Sequence, residues 1–243
     1  MTLSPPTPST GHASSAWVWM HHSVADYERD PYQITVTPST FQRQLTWLRR
    51  RGLRGVSVVE LLTGPGGREL VGLTFDDGYA DFMTTVVPAL HRFGFTATVY
   101  VLAGRLGGSN SWDADAPHKA LMTGEQVRAA AGAGMEIGSH GLRHLHLPEL
   151  RPDQLADEVG RSRELLREVS GQEVAGFAYP YGDAGEREFE AVREAGYTHA
   201  SHVGHPTPVT AFSIPRTFVG ERDRGARLTA KRVRHELRRR SSR

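Results

Sequence analysis

Residues 70–102 read Leu70-Val-Gly-Leu-Thr-Phe-Asp-Asp-Gly-Tyr79-Ala-Asp-Phe-Met-Thr-Thr-Val-Val-Pro-Ala-Leu90-His-Arg-Phe-Gly-Phe-Thr-Ala-Thr-Val-Tyr100-Val-Leu102. Two short apolar runs, 70–75 and 97–102, flank a stretch over 81–93 that has helical character and stops at Gly94. Strand, helix and strand in succession make a unit whose crossover is long enough to lay the two strands parallel. The first strand runs directly into Asp76-Asp77-Gly78.

The same alternation extends in both directions. Upstream, 17–20 and 56–59 read as strands, and 38–51 as a helix with Phe41, Leu45 and Leu48 on one face. A short helix is expected over 57–62. Downstream, helices are expected over 123–133, 152–170 and 186–195, and strands over 136–139, 176–179, 199–202 and 212–215. Repeated strand–helix units in 243 residues favour an α/β fold, a single-domain parallel (β/α) barrel made irregular by its short strands. Residues 1–15 are rich in Pro, Ser and Thr and read as a flexible extension. The domain is expected over 16–221, and 222–243 form a basic tail.

Composition removes several classes of function. Cysteine is absent, so disulfides, thiolate metal sites and cysteine nucleophiles are excluded. The net charge of +2 is unevenly spread: residues 222–243 carry ten Lys/Arg against two acids, and the other 221 residues carry 19 bases against 25 acids. An acidic body argues against a nucleic-acid partner. The tail is expected to form a solvated helix, with weak contact to an anionic membrane as its functional alternative. No basic stretch followed by an apolar run marks a secretory signal, so a cytoplasmic location, with membrane association through the tail, is expected.

Three segments place polar groups at the C-terminal ends of expected strands, where α/β barrels build their active sites. In Gly72-Leu-Thr-Phe-Asp-Asp-Gly-Tyr79, adjacent carboxylates suit a division between metal ligand and base. In Glu136-Ile-Gly-Ser-His-Gly-Leu-Arg-His144, His140 and His144 have the i, i+4 spacing that brings two imidazoles together on a helical turn. Together with one carboxylate they make a three-ligand site with a position left open. His146 reads as structural or exposed. Phe177-Ala-Tyr-Pro-Tyr-Gly182 ends a strand in a turn that taken alone reads as structural, its functional reading being a backbone N–H aimed at a developing oxyanion.

In this order the segments resemble the polysaccharide deacetylase family, the NodB-homology or carbohydrate esterase 4 group, over roughly residues 17–220. Thr74-Phe-Asp-Asp-Gly78 fits the first motif and His140-Gly-Leu-Arg-His144 the second. Trp19-Met-His-His-Ser-Val24 is similar to the start of the poly-N-acetylglucosamine deacetylase branch, with weaker support from Asp30-Pro-Tyr32 and Ile214-Pro-Arg216.

The resemblance implies a distorted (β/α) barrel of the NodB-homology type and metal-dependent removal of N-acetyl groups from an acetamido sugar or glycan. It implies Asp76 as general base and Asp77, His140 and His144 as ligands of one divalent ion, commonly Zn2+. It also implies that the Tyr181 N–H helps hold the oxyanion. Trp112 in a polar loop, Tyr79 and His22 are candidate substrate contacts.

Two departures stand out. Many relatives carry an Arg at the position of Ala178, where it pairs with the catalytic Asp, and Arg216 is the expected replacement for its guanidinium. Many also carry a Leu-His motif near the C-terminus that supplies the general acid, and here the corresponding stretch reads Ile214-Pro-Arg216, which leaves the acid open among His22, His202 and His205. The alternatives are a deacetylase of a small-molecule or lipid-linked sugar, and a carbohydrate-binding pseudoenzyme.

Overall fold

The computed structural model describes residue 13 and residues 15–64, 69–204 and 208–241. Its strands, in chain order, are β1 (Val18–His21), β2 (Ser23–Val24), β3 (Thr35–Val36), β4 (Arg54–Val56), β5 (Leu70–Phe75), β6 (Thr98–Val101), β7 (Glu136–Ser139), β8 (Gly176–Ala178), β9 (His199–Val203) and β10 (Ile214–Phe218). Seven of them close a parallel barrel in the order β1-β10-β9-β8-β7-β6-β5, and β5 returns to β1 through Val18↔Gly72 to His21↔Phe75. The distortion lies at β5. One of its edges is shared, with β4 pairing over Leu70 to Gly72 and β6 over Thr74 and Phe75.

Helices pack outside, seated by local chemistry. Thr37 caps the helix Pro38–Arg49 by accepting the Thr40 N–H, with Pro38 in its first turn. Thr123 and Gln126 form a capping box at Gly124–Gly132. The helix Pro152–Ser170 ends in left-handed Gly171. The apolar layer between helices and barrel holds Trp19, Phe41, Leu45, Phe75, Ile137 and Phe177. The barrel interior is more polar: Thr98 Oγ1 donates to Glu136 Oε2 at 2.6 Å, and the Tyr100 and Ser201 hydroxyls meet at 2.9 Å.

The structure departs from the expected elements in several places. The strand expected over 56–59 lies earlier, as β4, because Ser57 caps the helix Val58–Thr63, and the strand expected over 212–215 falls later, as β10. The helix expected over 81–93 opens as a wide π-turn, Phe82–Val86, before continuing as Val87–Phe93. Pro88 explains this, because it has no N–H to donate back and its ring would strike the preceding turn. The two-residue pair β2–β3 is too short to leave a periodic signal. In the tail, the helix Ala226–Ser241 lies against the barrel, with Leu228 buried and His235 stacked on Trp17 at 5.6 Å. In the N-terminal stretch, Ala13 is buried against a small cluster that includes Val18, Val56 and Ile214; residues 1–12 and 14 lie outside the described set. No described helix is long and apolar enough to cross a membrane.

Candidate active site

β5 delivers two carboxylates to the barrel mouth and turns them apart. Asp76 extends the strand, its N–H bonded to the His21 carbonyl at 2.9 Å. Asp77 and Gly78 follow with φ of 71° and 69°. Two successive left-handed residues reverse the chain, so neighbouring side chains face different partners. A Cβ on Gly78 would lie 3.3 Å from Val101 Cα, so this turn also needs the missing side chain.

Asp77 meets His140 and His144. Both Nε2 atoms lie 3.4 Å from Asp77 Oδ1, and that oxygen is buried without a hydrogen-bond donor. One ligand atom from each residue falls within 4.8 Å of the others. A buried, donorless carboxylate oxygen facing two imidazole nitrogens fits a divalent cation held by one oxygen and two nitrogens. His140 Nδ1 donates to the Ala178 carbonyl at 2.7 Å, which directs its Nε2 lone pair to the cluster. His144 is gripped between rings, stacked on Trp112 at 4.8 Å and edge-on to Tyr181 at 4.4 Å. Burial alone would raise the Asp77 carboxyl, but the two histidines outweigh it and hold it well below the usual carboxylate range.

The histidine pair does not sit on a helical turn. Gly141 and His144 have φ of 84° and 64°, and the segment is a loop. Its amides are held by Glu158, a residue that sequence reasoning missed. Glu158 is fully buried; its Oε1 accepts the N–H groups of Leu142 and Arg143, and its Oε2 accepts from the Arg143 guanidinium. The available signal was position: Glu158 lies three residues after buried Leu155, on the apolar face of its helix.

Asp76 faces Arg216. The guanidinium makes two bonds to it, Nη1–Oδ1 at 2.6 Å and Nη2–Oδ2 at 2.8 Å, and a third to Thr74 Oγ1. Arg216 stands in the middle of β10, buried within the barrel. Burial would raise the Asp76 carboxyl, yet Arg216, with His140 and His22, holds it below its ordinary value.

Other expected residues fall in different places. Tyr181 lies at the mouth, about half exposed, with φ of 59°, and its ring stacks on His146 at 3.7 Å. Among the described residues, three of the four non-glycine positions at positive φ (Asp77, His144 and Tyr181) belong to this site. His22 is half-buried, within electrostatic reach of Asp76 and Asp77, and its Nδ1 has no partner. Tyr79 is buried under the loop that carries Trp112, so it presents no ring face to a ligand; its hydroxyl, beside Asp77, has no partner. His202 packs against Tyr179 and Phe189 on the helix side of the sheet, away from the cluster, and His205 lies outside the described residues. Asp113, which the sequence did not single out, is half-buried and within electrostatic reach of Asp77 and His144.

The profile of the polysaccharide deacetylase family matches residues 63–200. The chain is 28% identical over 185 residues to YxkH of Bacillus subtilis (strain 168), a protein named as a polysaccharide deacetylase, covering 74% of this chain and 61% of that one. Over 97 residues it is 36% identical to the poly-beta-1,6-N-acetyl-D-glucosamine N-deacetylase of Escherichia coli (strain K12), covering 38% of this chain and 14% of that longer protein. Its fold is similar to that of the Streptococcus pyogenes deacetylase PplD in complex with acetate, with TM-score 0.73, 22% identity, and 88% of this chain and 96% of that one covered. The matched region contains the strand that bears Asp76 and Asp77 and the loop that bears His140 and His144, and by that match the chain belongs to the polysaccharide deacetylase family.

Proposed function

We propose that this protein is a metal-dependent hydrolase that removes the N-acetyl group from an acetamido sugar. The observation that carries the reading is the arrangement at the mouth: Asp76 clamped by Arg216, beside the Asp77–His140–His144 cluster. A divalent cation held by those three residues, Zn2+ being the best match to the donor set, supplies Lewis acidity toward water and the amide carbonyl.

The chain's own groups account for the proton transfers. Asp76, kept ionised and oriented by Arg216, accepts a proton from the attacking water as its oxygen bonds to the acetyl carbon. The Tyr181 N–H is positioned by its left-handed backbone to donate toward the oxygen that gains charge. His22 is the general acid: it gives a proton to the sugar nitrogen as the C–N bond breaks, leaving acetate and a free amine. It is favoured over His202, which faces the helices. Trp112 offers a half-exposed ring beside the cluster on which a pyranose can stack.

Arg216 weighs against the pseudoenzyme reading, because the guanidinium absent at Ala178 is supplied from β10. A role in anionic-membrane contact is proposed for the helix Ala226–Ser241, whose exposed Val233 and Leu237 lie among arginines. Acetate release from N-acetylglucosamine oligosaccharides and from small acetamido sugars, measured with and without added Zn2+, tests the reaction and sorts its substrates.

A further inference from the structure

A second cavity, of about 420 Å3, opens beside the mouth between the β2–β3 excursion and the turn that follows β10. Phe218 is the shared wall: it lines this cavity, and its ring lies 6.5 Å from that of His22. Gly220 makes room for that ring, since a Cβ there would stand 2.9 Å from it. Tyr27 also lines the cavity, and both aromatics are more than a third exposed. Gln33, the remaining non-glycine residue at positive φ among those described, also lines the cavity.

Formal charge around the cavity is balanced, but the acids are committed to the fold. Asp30 accepts the N–H groups of Ile34 and Thr35. Glu221 accepts the Thr37 N–H and the Thr37 and Thr40 hydroxyls. Asp223 takes the Gly220 N–H and Lys231 Nζ, which occupies that lysine as well. Arg222 and Arg227 are different. Both are exposed at the rim, and neither guanidinium has a hydrogen-bond or ion-pair partner among the described residues. The donors left free are therefore two guanidinium forks on a cavity that two aromatic side chains also line, a combination suited to a sugar ring bearing a planar or tetrahedral anion.

We propose that this cavity binds an anionic group, a carboxylate or a phosphate, carried by the sugar that adjoins the acetamido residue in the substrate. The proposal rests on the deacetylase reading for the neighbouring site, and it narrows the substrate class to acidic or phosphorylated glycans.

Calorimetric titration of the full chain with three disaccharide probes tests it: N-acetylglucosamine linked to glucuronate, N-acetylglucosamine linked to a phosphorylated hexose, and uncharged diacetylchitobiose. At least one anionic probe should bind the wild type about tenfold or more tightly than chitobiose, given two charge-assisted contacts. Which anionic probe is preferred identifies the source of the anion. In Arg222→Ala/Arg227→Ala that preference should vanish, while affinity for chitobiose and acetate release from it stay unchanged. Equal binding of all three probes by the wild type, or an anion preference that survives in the double variant, would overturn the proposal. Failure of the wild type to release acetate from any acetamido sugar would instead remove the deacetylase reading, and the affinity comparison would still decide the cavity.

Discussion

Arg216 on β10 and Asp76 at the end of β5, 140 residues apart in sequence, form a two-point pair at 2.6 and 2.8 Å with both side chains almost fully buried. Such geometry fixes the carboxylate plane as well as its charge. Arg216→Ala leaves Asp76 buried without its cation and should destabilise the fold by about 3–5 kcal/mol. It should also lower kcat by about 100-fold or more with little loss of metal, and move the rising limb of the pH–rate profile upward, because burial then acts on Asp76 with less opposition. Arg216→Lys keeps the charge but loses the fork, and should show a smaller shift of the limb. An unshifted limb in both variants would mean that Arg216 does not set the state of Asp76.

Glu158 should control the metal site from a distance. It holds the amides of Leu142 and Arg143 between the two histidines. In Glu158→Gln one acceptor becomes a donor facing those groups, so the His144 backbone loses its support. Metal affinity, measured by competition with a chelator, should fall about 10- to 100-fold. Affinity equal to wild type would show that the loop holds its left-handed shape without this carboxylate.

How much of this was legible follows from what each feature leaves in the sequence. β5 and the helix Pro152–Ser170 were read to the residue, because a strand closed by Asp-Asp-Gly and a long amphipathic run are strong local signals. The His140–His144 spacing suggested two imidazoles side by side, and the structure does bring them together, but on a loop and not on a helical turn. A helical turn and a loop with two left-handed residues both bring positions i and i+4 together, and only the φ values separate them. The burial of Arg216 was invisible locally, because it depends on closure of the barrel bringing β10 beside β1. Glu158 looked like one of many charges on a helix whose exposed face is also acidic and basic.

Trp112 touches one of the three residues proposed to hold the metal as well as the mouth, since its ring stacks on His144 and carries the Arg105 guanidinium 5.3 Å from its centre. Trp112→Ala should raise KM about tenfold, while kcat at saturating metal changes by less than about twofold. An unchanged KM would return Trp112 to a packing role alone.

A pH effect on stability should come from His21. It is buried, stacked on Phe75, and bonded to Gln44 Oε1 at 3.2 Å. Burial pushes its pKa down to about 4, against the opposing effect of Gln44. The unfolded chain takes up this proton near pH 6.5, so the contribution is complete above that pH and is lost as pH falls toward about 4. Its size over that window is on the order of 3 kcal/mol. Denaturant unfolding at several pH values should show this loss in the wild type and a flatter profile in His21→Phe. Parallel profiles would place the titration elsewhere.

The most direct measurement is acetate release from an N-acetylated sugar by the purified chain loaded with about one Zn2+, repeated after chelation, after Zn2+ is restored, and with Asp76→Asn. Release should stop on chelation and return with the metal, and Asp76→Asn should hold the same metal while releasing no acetate. Release that persists without metal, or that survives in Asp76→Asn at the wild-type rate, would contradict a metal-dependent hydrolase with Asp76 as its base.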